Sequence, residues 1–172
     1  MSAQVFAADE QSDHPVDLAR WVALAERILD DRGIGAGAEL SLMFVDETAI
    51  AGLNERFLGR KGPTDVLSFP IEDELIGPGH VPEQEVSGPG RGPLEIEEMP
   101  LLIGDVVICP QVAFRQAPEH AGSYDDEVAL LLVHGILHLL GMDHQEEAEA
   151  ATMEALEQQL LAAHHRQVGT EL

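Results

Sequence analysis

Three histidines within eleven residues have the types and spacing to hold a metal ion: His134-Gly-Ile-Leu-His138-Leu-Leu-Gly141-Met-Asp143-His144. His134 and His138 are four apart. On a helix they share one face, with Cβ atoms about 5–6 Å apart. Two imidazoles so placed can grip one ion. Gly141 can take the left-handed conformation that ends a helix and turns the chain back. That turn can return His144 to the same ion. Three neutral imidazoles and an open fourth position make a catalytic zinc site, whereas a structural site is usually closed by four Cys-rich ligands. The expected metal ligands are therefore His134, His138 and His144, around one Zn2+.

The spacing is that of the H-E-x-x-H-x-x-G-x-x-H metalloproteases, with one difference. Where those enzymes carry the glutamate that acts as general base, this chain has Gly135. The metal cradle is present and the usual peptidase proton acceptor is not. Asp143 reads as a carboxylate that orients a ligand imidazole from behind or as a cap for the helix that follows, both favoured over direct ligation because three imidazoles already complete the protein's share. Cys109 ends an apolar run beside Pro110 and reads as a buried or capping residue. A fourth ligand is the alternative, but its spacing does not demand that role. His14, His80, His120, His164 and His165 have no comparable context and read as surface residues.

The elements that must position the triad follow from caps and periodicity. Ser123-x-x-Asp126 is a capping signature ahead of an apolar run, and Asp125, Asp126 and Glu127 place negative charge in the first turn. The helix it starts should run to Leu140, stop at Gly141, and carry His134 and His138 in its last two turns. A final helix spans roughly 145–164, with Met153, Leu156 and Leu160 on one side. Upstream, residues 15–31 have Leu18, Trp21, Val22, Ala25, Ile28 and Leu29 at helical spacing, and Trp21 reads as core. Residues 39–45 read as a strand. Asp46 caps a helix to about Phe57 that turns Ile50, Leu53 and Phe57 inward. Residues 65–69 read as a strand stopped by Pro70, and residues 101–108 as an apolar strand. Pro110 suits the first position of a short helix to about Ala117. Residues 71–99, rich in Gly, Pro and Glu, read as a flexible insertion between two strands, a candidate hairpin. The order α-β-α-β-loop-β-α-α-α predicts an α/β fold: a small mixed sheet of about four strands surrounded by about five helices, one of them a zincin-like HxxxH helix. Residues 1–172 are expected to form one domain.

Composition narrows the setting. Among the 172 residues a single cysteine excludes an internal disulfide framework. No charged and apolar leader of secretory type is evident, and the longest apolar run before the motif is far too short to span a bilayer. A cytoplasmic protein without membrane partners is expected. The net charge of −23 argues against non-specific nucleic-acid binding. Its distribution is uneven: Arg56, Arg60 and Lys61 fall within six positions, either a local basic patch or a solvated helix end.

Three motifs then carry a family resemblance. His134 to His144 resembles the H-G-x-L-H-L-x-G-x-D-H signature of the YbeY-type endoribonucleases, or rRNA maturation factors. Residues 62–70, G-P-T-D-V-L-S-F-P, match the family's P-T-D-V-L-S-F-P. Residues 104–108, G-D-V-V-I, match its G-D-I-x-I. The motifs occur in family order and cover most of residues 40–160.

The resemblance implies a zinc-dependent endoribonuclease that prefers single strands. It implies action in rRNA maturation, notably at the small-subunit 3′ end, and in ribosome quality control. Expected partners are ribosomal RNA, the small ribosomal subunit and basic ribosomal proteins. By matching positions His134, His138 and His144 become the zinc ligands. One position departs from the pattern. Many members carry arginine after the aromatic residue of an N-x-x-[FY]-R segment, and here Leu58 follows Phe57. Arg56, Arg60 and Lys61 are the candidates to supply that charge, and Ser68 joins them as a substrate-binding candidate. Zinc can polarise a phosphoryl oxygen and lower the pKa of bound water to about 7, so phosphodiester cleavage does not require a glutamate at position 135. Gly135 would also leave room beside the metal for the substrate. The alternatives are a non-enzymatic zinc-containing ribosome assembly factor and, less well supported, a zinc peptidase.

Overall fold

The computed structural model describes residues 3–70, 101–142 and 147–166. The expected insertion at 71–99, His80, Asp143 and His144 lie outside the described residues. In chain order the elements are β1 (Gln4–Asp9), α1 (Leu18–Asp31), β2 (Ala38–Phe44), α2 (Glu47–Leu58), β3 (Val66–Pro70), β4 (Leu101–Ile108), α3 (Pro110–Gln116), α4 (Tyr124–Leu139) and α5 (Glu147–Leu160). A 3-10 turn, Ala117–Glu119, follows α3, and a π-helical turn, Leu161–Arg166, follows α5.

The four strands form one mixed sheet in the order β1-β2-β4-β3. β1, β2 and β4 run parallel, and β3 is an antiparallel edge strand that pairs Val66 with Ile108 and Pro70 with Gly104. The expected number of strands is right, but the fourth is β1, from the N-terminal segment. Its residues alternate between exposed and half-buried, and Phe6 points to solvent, so its apolar signal is weak. Pro70 extends β3 without disrupting it, because an edge strand tolerates a missing donor. Register slips between Glu39 and Leu40, where β4 carries one extra residue. Gly104 follows that bulge with φ +147, and a Cβ there would stand 2.6 Å from the Phe69 carbonyl oxygen. The glycine of the third motif thus permits close backbone approach between β3 and β4.

Alternation along the strands builds two apolar layers. Leu40, Leu42, Val106 and Ile108 join Trp21, Leu24 and Ile28 of α1, and Val128, Leu132 and Ile136 of α4, in the larger one. Leu67, Val107 and Cys109 join Ile50 of α2 on the opposite face. α1 and α4 pack on this face of the sheet, and Met153 and Leu160 of α5, which packs on α4, add to the same layer. Trp21 is core, as its place on the stripe of α1 predicts. Phe57 departs from its expected inward position. It lies at the last turn of α2, 55% exposed, with its ring edge-on to Phe69. Among the described residues no helix is long and apolar enough to cross a membrane.

Candidate active site

The helix that carries His134 and His138 is fixed at both ends by its own sequence. At the start, the Ser123 side chain accepts from the Asp126 amide at 3.1 Å, with acids at 125, 126 and 127 in the first turn. At the end, Gly141 has φ +99. Its amide donates to the His138 carbonyl at 3.0 Å, and the Met142 amide donates to the Leu137 carbonyl at 3.0 Å. This pair of bonds closes the helix and turns the chain back directly after His138. His144 follows, outside the described residues.

On α4 the two imidazoles converge. Nε2 of His138 stands 3.1 Å from Nε2 of His134, and the ring planes cross at 75°. Two nitrogens bound to one tetrahedral zinc at about 2.0–2.1 Å would stand about 3.3–3.4 Å apart, so the pair has close to the separation that ion needs. The opposite edge of His134 is also held. Its Nδ1 lies 2.5 Å from Oε2 of Glu157, a side chain only 9% exposed. A carboxylate there accepts a hydrogen bond from Nδ1–H and leaves the Nε2 lone pair for a metal. Among the described residues no third His, Cys, Asp or Glu joins these histidines in a cluster able to hold a metal. The donor set fits zinc to the extent of two preoriented imidazoles.

Glu157 is absent from the expected site residues, although α5 offered a signal for it. It lies four residues after Met153 and three before Leu160, on the buried stripe of the helix. An acid on an apolar stripe needs a partner. Here the partner is His134.

Gly135 corrects another expectation. It does not open space beside a metal; it is buried and faces the sheet. A Cβ at this position would stand 2.9 Å from Val106 Cγ1 and 3.2 Å from Ser68 Oγ. Ser68 Oγ donates to the Gly135 carbonyl at 3.1 Å, tying β3 to α4. The glycine lets helix and sheet approach closely, and there is no volume for a glutamate.

A cavity of about 1140 Å³ lies over the histidine pair, lined by Arg60, Ser68, His120, His134, His138 and His165 among others. Leu58, at the position where a family arginine is common, also lines it. Of the basic candidates only Arg60 reaches this cavity. Arg56 lies over the Phe57 ring at 5.3 Å, and Lys61 is exposed away from the lining. The loop that carries Arg60 is pinned by buried Asn54, which donates to the Gly62 carbonyl at 3.0 Å. His165 is not the surface residue expected: it is 6% exposed, with Nε2 2.9 Å from Asp126 Oδ1. Cys109 is buried at the start of α3, in the layer opposite α4. Burial pushes its thiol pKa up, so the thiol stays protonated and away from the histidines.

The family model for endoribonuclease YbeY matches residues 6–165. The chain belongs to the YbeY endoribonuclease family. Two curated YbeY relatives show how far the likeness extends. The endoribonuclease YbeY of Thermobifida fusca is 44% identical over 161 residues, which is 94% of each chain. That of Acidothermus cellulolyticus is 48% identical over 156 residues, covering 89% of this chain and 87% of its own. The solution structure of TM1509 from Thermotoga maritima superposes with a TM-score of 0.50 at 20% identity, covering 92% of this chain and 90% of that one. That last likeness is one of fold. The YbeY motifs thus fall on β3, β4 and α4, the elements that meet at Ser68, Gly104 and Gly135.

Proposed function

We propose that this YbeY-family protein is a zinc-dependent endoribonuclease that cuts single-stranded RNA in ribosomal RNA maturation, notably at the small-subunit 3′ end, and in ribosome quality control. The observation that carries the reading is the converging Nε2 pair of His134 and His138 beneath the cavity, with Glu157 behind. His144 is the third ligand by its place after the Gly141 turn. The net charge of −23 suits docking on basic proteins of the small ribosomal subunit, while Arg60 supplies a cation where RNA would enter.

The residues divide the work. His134 and His138 hold the ion, and Glu157 holds the Nδ1 proton of His134. Bound zinc supplies charge stabilisation at the phosphate and eases deprotonation of the attacking oxygen. Arg60 binds backbone phosphate. Ser68 acts through Gly135, keeping β3 and α4 in register, and is a substrate candidate only through its place on the cavity wall. The peptidase alternative loses ground because position 135 faces Val106 and has no room for a general base.

The test compares a single-stranded with a duplex RNA of the same sequence, with analysis of the new ends. Cleavage of the single strand, abolished by a chelator and restored by zinc, is expected. A 2′,3′-cyclic phosphate would assign the attack to the RNA 2′-hydroxyl, and its absence to water. Equal cutting of both RNAs, or chelator-resistant cutting, would overturn the reading. Loss of rRNA processing in cells without any cleavage in vitro would favour a non-enzymatic assembly factor.

A further inference from the structure

At the start of α4 lies a second carboxylate–imidazole pair that the zinc reading does not use. Glu127 is fully buried, with 0% exposure. Its carboxylate accepts from the Ala121 amide at 3.0 Å and from Gln116 Nε2 at 2.7 Å. It also meets Nδ1 of His120 at 2.7 Å. Gln116 Nε2 additionally reaches Asp65 Oδ2 at 2.9 Å, linking the pair to the second motif. Burying a carboxylate is costly, and three donors around it make a rigid seat. Yet the His120 side chain is 54% exposed and lines the same cavity as His134 and His138. With Nδ1 committed to Glu127, the ring nitrogen left for a ligand is Nε2. Among the described residues Nε2 makes no hydrogen bond.

We infer that His120, oriented by buried Glu127, is an RNA-contacting residue: in its imidazolium form, with both ring nitrogens protonated, Nδ1–H donates to Glu127 and Nε2–H donates to a backbone phosphate oxygen of the strand in the cavity. The inference rests on the endoribonuclease reading above. Glu127 is the positioning residue and does not touch RNA itself. A histidine serving only to satisfy Glu127 would not need to stand half-exposed in the substrate cavity. An anion is the chemistry that fits, because an imidazolium held by a carboxylate at Nδ1 presents its Nε2–H as a directed, charge-assisted donor. The pair also supplies a phosphate contact to a chain that has Leu58 among the cavity-lining residues.

The test uses zinc-loaded protein and steady-state cleavage of a short single-stranded RNA. His120→Asn places an amide nitrogen where Nδ1 was, so it keeps the bond to Glu127 and deletes Nε2. His120→Ala removes both. His120→Asn is expected to retain full zinc content and the wild-type melting temperature. Its KM should rise on the order of tenfold with kcat little changed, the signature of a lost contact made equally in ground and transition states. The salt dependence of KM should flatten, because one phosphate contact is gone. His120→Ala should show the same KM and a lower melting temperature. A wild-type KM in His120→Asn overturns the inference while leaving the endoribonuclease reading intact. A rise in KM seen only in His120→Ala, in step with its loss of stability, also overturns it. A wild-type protein that cleaves no RNA overturns both.

Discussion

Among the described residues three carboxylate–histidine pairs involve α4 (Glu127–His120, Glu157–His134 and Asp126–His165), and the first two use one device for different ends. Near its start Glu127, on the helix, holds Nδ1 of His120. In its second half His134, on the helix, is held by Glu157 from α5. Both carboxylates are buried or nearly so, and both fix which ring nitrogen faces the cavity. The partner of the second nitrogen separates them. At His134 it faces another imidazole 3.1 Å away, the pair proposed above as a metal grip. At His120 it meets no such neighbour, and in the imidazolium form inferred above it is a single donor. A buried carboxylate therefore fixes the direction of the ring, and the surroundings separate the proposed ligand from the proposed contact.

The comparison breaks most severely if a carboxylate is placed at a position of α4 that belongs to no pair. Gly135→Glu restores the peptidase glutamate in sequence, but its side chain would be driven into Val106 and Ser68. We expect a loss of at least about 3 kcal/mol in unfolding free energy, from overpacking and an unpaired buried acid, measured by urea titration. A stable variant with peptidase activity would show that position 135 faces the cavity after all.

Exchanging each carboxylate for its amide separates the two pairs. Glu157→Gln should weaken zinc binding by roughly 10–100-fold in a chelator competition, as loss of a carboxylate behind a ligand imidazole typically does. Glu127→Gln should leave zinc affinity at the wild-type value and lower thermal stability instead. Equal zinc affinities in the two variants would remove the distinction.

The smallest effect concerns the burial that surrounds the start of α4. Tyr124 donates to the Pro15 carbonyl at 3.0 Å, and its pKa is pushed up to about 12 by burial, with the negative charges of Asp125 and Asp9 adding to it. An unfolded tyrosine titrates near pH 10. Between these values the unfolded chain has lost a proton that the native one keeps. The stabilisation is complete below about pH 10 and is lost as pH rises through about 12. Tyr124 is the sole tyrosine, so its phenolate absorbance reads the group directly. Native titration near pH 10 would mean that this end of α4 is open to water.

How much of this was legible in the sequence depended on whether the signal was local. α4 was legible at both ends, because Ser123 and Gly141 carry the capping chemistry in their own residue types. β4 was legible from its apolar residues on both sides of Gly104 and Asp105. β1 was not, since an edge strand with Phe6 outward lacks a buried face strong enough to mark it. Phe57 followed the helical period and still points outward at the last turn of α2, where its ring meets Phe69 edge-on. Glu157, Glu127 and His165 escaped for a shared reason. Their roles are set by partners at sequence separations of 23, 7 and 39, which periodicity does not encode. Gly135 was visible as a missing base, but the reason for it, a helix pressed on Val106, belongs to the tertiary structure.

The central claim is that His134 and His138 form a catalytic metal grip. It is tested most directly by measuring zinc per chain and single-stranded RNA cleavage together in wild type and His138→Ala. The account predicts about one zinc per wild-type chain, with zinc and cleavage lost together in a variant that remains folded. Cleavage at the wild-type rate by a zinc-free, folded His138→Ala would contradict it.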